Sequence, residues 1–260
     1  MKKILFALLV LTSIQVNAQK SSVIHDNNAQ IRKVGSYTAI KVSSAIDLYL
    51  TQSEMNQVAV SANTEENRNR IVTEVVGGTL IIKMSDSDGW WSWKKWSDTK
   101  AKAYVSIKDI DALTASGATN VHFVNKIESP KLKIKLSGAS DIKGEIEAGY
   151  ISIEISGASD YKGQLTAKSM SLNASGASSI QLSGSVDDLS VDVSGASDAK
   201  LFDLFTKGAI VNASGASSAN INVSELLKAD ATGASDINYK GNPRVQESRN
   251  SGASSIKHRN

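Results

Sequence analysis

Carboxylates and hydroxyls recur three positions after a repeated glycine, at a spacing that could bind a cation. The seven residues are Asp141, Asp160, Ser179, Asp198, Ser218, Asp236 and Ser255. Oxygen ligands of this kind hold Ca²⁺ when several of them converge. Serine interrupts the row, however, and the Gly-Gly-x-Gly-x-Asp pattern of calcium-binding β-rolls is missing. We therefore expect a solvated, hydrogen-bonded face with no metal site.

The histidines offer no catalytic arrangement. They are His25, His122 and His258, far apart in the chain, and His122 lies between two apolar residues of a strand pattern that should turn it outward. The sequence contains no Gly-x-Ser-x-Gly elbow, phosphate-binding loop or zinc-ligand spacing. We expect no catalytic residue and no cofactor.

The best candidate for ligand binding is a tryptophan-rich loop, residues 89–98, with the sequence GWWSWKKWSD. It contains Trp90, Trp91, Trp93 and Trp96, together with Lys94 and Lys95. Indole rings could form a platform for a sugar face, a peptide or a membrane surface, and the lysines could meet anionic groups. The alternative is a hairpin tip whose rings pack against the rest of the protein.

These residues must be positioned by a repeat that dominates the second half of the chain. The phrase [Ser/Thr]-Gly-Ala-[Ser/Thr] occurs eight times, at intervals of 21, 19, 19, 19, 20, 18 and 19 residues. Its glycines are Gly117, Gly138, Gly157, Gly176, Gly195, Gly215, Gly233 and Gly252. A fixed period near nineteen predicts a solenoid in which each repeat is one coil.

Apolar residues alternate with polar ones on both sides of each phrase. Before Gly138 they are Leu132, Ile134 and Leu136, and after it Ile142 and Ile146. Strict alternation predicts two strands per repeat with one face inward. The phrase between them is then a corner, where glycine adopts positive φ, alanine faces the crowded bend and the hydroxyls bind free backbone groups. We expect an all-β fold, a β-helix or β-solenoid, with an antiparallel meander as the alternative.

The two ends of the chain differ from the repeats. Residues 1–18 have the charge, apolar run and small-residue end of a signal peptide, and residues 19–33 are a polar, flexible leader. The mature chain has no apolar run long enough to span a membrane. Removing Lys2 and Lys3 leaves 27 basic against 26 acidic residues, which argues against nucleic acid as a partner.

Residues 34–110 are β-rich but lack the phrase. They hold a faded copy, VSSAIDLYL at residues 42–50, and could be degenerate first coils or a cap. The repeats occupy residues 111–257, and residues 258–260 are a polar tail. In the last repeat the inward positions Gln246, Ser248 and Asn250 are polar, so the core should end there.

The run of VSGASD, ASGASS and ATGASDINYKGNP followed by SGASSIK resembles a family of exported bacterial proteins known as putative auto-transporter adhesin, head GIN domain. The family is common in Bacteroidetes-type bacteria, and the resemblance covers about residues 40–257. It includes the Tyr-x-Gly-x-Pro motif at residues 239–243. The resemblance implies a β-solenoid and an adhesive role, and it supplies no catalytic residues.

We expect an exported, non-enzymatic binding or structural module, in the periplasm, at the cell surface or outside the cell. Its partner is unknown, with a cell-envelope glycan or a protein as the candidates. One alternative is a polysaccharide lyase or hydrolase, although Lys143, Glu145, Asp160 and Lys162 look like an ordinary charged surface. A second alternative is a periplasmic envelope assembly or stress factor.

Overall fold

The computed structural model describes residues 26–85 and 99–260. About 65% of these residues are strand and 2% are helix. The expected signal peptide, residues 19–25 of the expected leader and the tryptophan-rich loop lie outside the described residues. The strands are β1 Gln30–Arg32, β2 Ala39–Val42, β3 Asp47–Gln52, β4 Gln57–Ser61, β5 Ile71–Val76, β6 Thr79–Met84, β7 Lys102–Ile107, β8 Ala112–Ala115, β9 Asn120–Phe123, β10 Ile127–Leu136, β11 Asp141–Ile155, β12 Asp160–Ala174, β13 Ser179–Val193, β14 Asp198–Ala213, β15 Ser218–Ala231, β16 Asp236–Lys240, β17 Arg244–Asn250 and β18 Ser255–His258. The helix is α1 Glu65–Asn69.

Each long strand makes most of one coil. In β11 the buried residues Ile142 and Ile146 alternate with exposed ones, and the alternation changes phase near Gly149 before it resumes at Ile151 and Ile153. The phase change turns the chain so that both halves of the strand present their apolar side chains to the same core. Two segments and a corner therefore complete one coil.

Successive coils lie in register, so equivalent side chains form columns. β10, β11, β12 and β13 pair in parallel, and Ile134, Ile153, Leu172 and Val191 are consecutive partners in one column. These four side chains are at most 1% exposed. The predicted solenoid with a period near nineteen is confirmed, and the parallel pairing excludes the antiparallel meander.

In the first part of the structure the stacking order departs from the chain order. β2 pairs in parallel with β6 on one side and with β8 on the other, and β3 does the same with β7 and β9. The later strands β6 and β7 therefore lie on the side of β2 and β3 that faces away from the repeats. β5 pairs antiparallel with β6, and β4 pairs antiparallel with β7. β1 in turn pairs antiparallel with β4.

The last coil is polar. β17 is almost entirely exposed and carries Arg244, Glu247 and Arg249, charges of the kind that discourage edge-to-edge association of strands. The expected inward position of Gln246 is wrong, because a register shift between Leu227 and Lys228 places Val245 opposite Leu227. Ser248 pairs with Ala229 and Asn250 with Ala231, in line with the inward columns.

Candidate functional site

The corner glycines form one column along the solenoid. All eight have φ between +71° and +81°, a region that side-chain-bearing residues rarely adopt. The column is also close-packed, since a Cβ added to Gly157 would lie 2.4 Å from the carbonyl oxygen of Gly138. That same carbonyl accepts a 2.7 Å hydrogen bond from the Ala158 N–H. Glycine is needed both for the turn and for the approach of neighbouring coils.

The alanine of the phrase does not face the bend. Ala139 and Ala158 are exposed, and the buried member is the second hydroxyl residue, with Ser140 and Ser159 both 0% exposed. Ser140 Oγ donates to the Ser137 carbonyl at 3.0 Å, and the Ser140 N–H donates to Ser159 Oγ at 3.2 Å. The second serine thus satisfies the backbone groups that the corner leaves open.

The first serine of each phrase has a different environment. Ser156 Oγ reaches the Leu136 carbonyl only at 3.3 Å, and Ser194 Oγ reaches the Ala174 carbonyl at 3.4 Å. Ser175 is exposed. Hydrogen bonds this long are weak, so these hydroxyls are available to a ligand.

These first serines line a groove of about 620 Å³ that we call the corner groove. Its other wall is a column of outward side chains from β8 and β10 to β13, which are partners in register. The column contains Thr114, Lys135, Glu154, Asn173 and Asp192, and the serines are Ser137, Ser156, Ser175 and Ser194. Adjacent coils are about 4.8 Å apart, so the groove presents polar groups at a regular step along the axis.

One carboxylate in the corner groove is held by two cations. Glu154 accepts ion-pair contacts from Lys133 at 2.9 Å and from Lys135 at 2.5 Å. The hydrogen bond from Lys135, followed by that from Lys133, lowers the pKa of Glu154. Glu154 is therefore ionised at neutral pH and is unsuited to donate a proton as a general acid.

The aspartate and serine row on the opposite side of the corner is in register, with Asp141 beside Asp160 and Asp160 beside Ser179. Asp236 accepts a hydrogen bond from Ser255 in the next coil. Among residues 26–85 and 99–260 no three His, Asp or Glu side chains converge as metal ligands.

A second groove, of about 770 Å³, lies at the start of the solenoid and is called here the aromatic groove. Tyr49 and Tyr104 line one wall, with their ring centroids 5.2 Å apart. His122 continues this ladder of rings beyond the lining, with its ring centroid 5.1 Å from that of Tyr49. Ile31 and Val124 line the groove with 79% and 61% of their surfaces exposed. Large apolar side chains so exposed beside aromatic rings are a feature of binding surfaces.

The first described residue ties the chain to this wall. Tyr104 Oη donates to Asp26 Oδ2 at 2.9 Å, and the Asn28 N–H donates to Asp26 Oδ1 at 3.0 Å. Burial raises the pKa of Asp26, but the hydrogen bonds from Tyr104, Ser61 and Asn28 outweigh it, so the pKa is lowered overall. Burial, and then the bond to Asp26, raises the pKa of Tyr104.

The tryptophan-rich loop, with Trp90, Trp91, Trp93, Trp96, Lys94 and Lys95, lies outside the described residues, but its attachment points are described. The Ser43 N–H donates to the Ile82 carbonyl, and the Asp47 N–H donates to the Ala101 carbonyl, both at 3.0 Å. The end of β6 and the start of β7 therefore lie beside the corner between β2 and β3.

Sequence reasoning missed the aromatic groove. The sequence places Ile31 in the expected flexible leader, whereas the structure pairs it with Ala59, which in turn pairs with Tyr104. The outward positions of Tyr49 and His122 were readable from alternation. Their stacking depends on the pairing register of β3 with β7 and β9, and the period of the repeats does not predict that register.

Within the described residues no helix is long and apolar enough to cross a membrane. The described residues form a β-solenoid with two surface grooves. The family model for putative auto-transporter adhesin, head GIN domain, matches residues 36–164 and 143–243. The chain belongs to this family.

Solved structures of similar fold come from Bacteroidetes. A putative adhesin from Parabacteroides merdae is 18% identical with a TM-score of 0.79, covering 89% of this chain and 95% of its own. A putative lipid binding protein from Parabacteroides distasonis is 22% identical with a TM-score of 0.75, covering 90% and 98%. A putative adhesin from P. distasonis is 20% identical with a TM-score of 0.73, covering 88% and 95%. At these identities the likeness establishes the fold, and no curated protein matches the chain.

Proposed function

We propose that this chain is an exported, non-enzymatic, adhesin-like module that binds an extended glycan of a cell envelope along the corner groove. The observation that carries the proposal is the row of first serines, of which Ser156 and Ser194 have hydroxyls bonded to the preceding coil only by long hydrogen bonds. A linear glycan offers hydroxyl groups at a repeating step, and the groove offers hydroxyl, amide and charged groups at a repeating step of about 4.8 Å. Family membership supports an adhesive role.

The non-enzymatic part of the proposal has support in the groove's electrostatics. Hydrolysis or elimination of a glycan needs a carboxyl group or base with a suitably shifted pKa. The carboxylate of Glu154 has its pKa shifted downward by two lysines, which favours ionic binding over proton transfer. A polysaccharide panel should show no new reducing or unsaturated ends after incubation, and their release would replace this proposal with the enzymatic one.

The tryptophan-rich loop remains a candidate part of the ligand surface. Support comes from its sequence and from the flanking strands β6 and β7, whose ends lie beside the corner between β2 and β3. Sugar faces stack on aromatic rings, so residues 89–98 could bind one end of a glycan that follows the groove.

Glycan arrays and peptidoglycan pull-downs test the proposal. Replacing Ser156 and Ser175 with arginine should fill the corner groove and abolish binding. The matched control replaces Thr166 and Ser185 with arginine. These two residues are exposed register partners on another face, so this variant should bind the glycan normally. A Trp90/Trp91/Trp93/Trp96→Ala variant tests the loop separately. Equal binding by all of these proteins would exclude both surfaces.

Lipid binding is a second candidate function, favoured by the aromatic groove and its exposed Ile31 and Val124. One structural relative is named a putative lipid binding protein. Co-purification of lipid with the protein, compared with a variant blocked in the groove, tests it. Cell fractionation with cross-linking tests export and the remaining alternative, a periplasmic assembly or stress factor with a protein partner.

A further inference from the structure

The aromatic groove has the shape and lining for a hydrocarbon chain. Tyr49 and Tyr104 stack at an interplanar angle of 21°, so their faces are largely covered by each other and their edges form the wall. Ile31, Val34 and Val124 line the remaining sides. Ring edges and branched aliphatic groups offer dispersion contacts and no ring face for a sugar.

The wall follows one row of register partners across four strands. Ile31 pairs with Ala59, Ala59 with Tyr104, and Tyr104 with Tyr49, and all four line the groove. Three steps of about 4.8 Å give a row about 14 Å long. That length accommodates an extended single acyl chain.

Charge distinguishes one end of the groove. Lys33 lines it, is exposed, and has no ion-pair partner among residues 26–85 and 99–260. Arg32 also lines the groove, with Nη2 donating to the Arg68 carbonyl at 3.0 Å. The carboxylate in the lining, Asp26, is already bound by Tyr104 Oη and the Asn28 N–H. An anionic group at this end would meet an unpaired ammonium.

We propose that the aromatic groove binds a single-chain amphiphile, with its alkyl tail along Ile31, Tyr49, Tyr104 and Val124 and its anionic head group at Lys33. The proposal rests on the lipid-binding candidate function and adds the number of chains, the sign of the head group and the residue that recognises it. Burial of the tail supplies most of the affinity. The lysine supplies the preference for an anion.

The test uses the purified chain and displacement of fluorescent dansyl-undecanoic acid by three competitors that share a twelve-carbon tail. They are laurate, dodecanol and dodecyltrimethylammonium. Laurate should compete best. Val124→Asp puts a charge beside the tail and should weaken laurate binding about tenfold or more. Ile210→Asp is the matched control, 49% exposed on β14, and should change it less than about twofold.

Lys33→Glu tests the head group. It should lower the affinity for laurate about fivefold, leave the affinity for dodecanol unchanged and raise the affinity for dodecyltrimethylammonium. If the wild type bound all three amphiphiles equally, the head-group assignment would be wrong while lipid binding stood. If it bound none, or if Ile210→Asp weakened binding as much as Val124→Asp, the groove would be excluded as a lipid site.

Discussion

Two buried tyrosines differ in whether their hydroxyl has a partner. Tyr37 Oη donates to the Ser106 carbonyl at 2.9 Å, with the Gln57 carbonyl at 3.2 Å. Tyr161 is 0% exposed, and its hydroxyl is buried without a hydrogen-bond partner in the described residues. Burial raises the pKa of both groups, so both are neutral at physiological pH and charge does not enter the comparison.

Removal of each hydroxyl should therefore have opposite effects on stability. A buried hydroxyl without a partner costs about 1–3 kcal/mol, so Tyr161→Phe should raise the free energy of unfolding by about 1 kcal/mol while it keeps the ring. Tyr37→Phe loses a hydrogen bond and leaves the Ser106 carbonyl with one partner fewer. It should lower the free energy of unfolding by about 1–2 kcal/mol. The two variants should differ by about 2–3 kcal/mol.

Urea unfolding followed by circular dichroism measures the difference, provided the slope with denaturant is the same in each protein. For a chain of this size each kcal/mol corresponds to about 2–4 °C in Tm. If Tyr161→Phe destabilised the protein as much as Tyr37→Phe, the hydroxyl of Tyr161 would have a partner such as a buried water, and the reasoning would be refuted.

Three further outcomes are expected. Gly157→Ala should destabilise by about 3 kcal/mol or more in thermal unfolding, because its Cβ would strike the backbone of the coil below. The control Gly78→Ala, with φ +75° and nothing within 4 Å, should cost about 1 kcal/mol, and equal losses would contradict a close-packed column. Ser159→Ala should cost about 1–2 kcal/mol in urea unfolding by leaving a corner N–H unpaired, whereas the first serine of the same phrase should tolerate alanine. The lowered pKa of Asp26 stabilises the folded state above the ordinary Asp pKa, so the protection of residues 26–34 against hydrogen exchange, relative to the unstructured rate at each pH, should fall as the pH falls below about 4, and Tyr104→Phe should shrink that dependence.

The coil was predictable because it repeats. Glycines at a constant interval identified the corners, and alternation identified Ile134, Ile153 and Leu172 as one inward column. The direction of the small residues within the corner was not predictable from size. Alanine and serine are both small enough for the bend, and the structure places Ala158 outward and Ser159 inward after a glycine with positive φ.

The first layers were harder for a physical reason. Stacking there does not follow chain order, because β6 and β7 return to lie beyond β2 and β3. A ladder such as Tyr104, Tyr49 and His122 combines residues 73 and 55 positions apart in the chain, and no period connects them. Sequence alternation gives the face of each residue, but contact across strands needs their register.

The repeat also separates what builds the solenoid from what can recognise a ligand. The glycine and the second serine are nearly invariant along the corner, since each coil must stack on the next in the same way. The outer column of the corner groove instead changes at every step, from Lys135 to Glu154 to Asn173 to Asp192. A ligand lying in the groove would meet constant hydroxyls on one side and a different group from each coil on the other. Specificity must therefore come from the outer column. Lys135→Asp, which places at position 135 the residue type found at the equivalent position 192, should alter which glycan binds. It should leave unchanged the stacking of coils that holds the groove open.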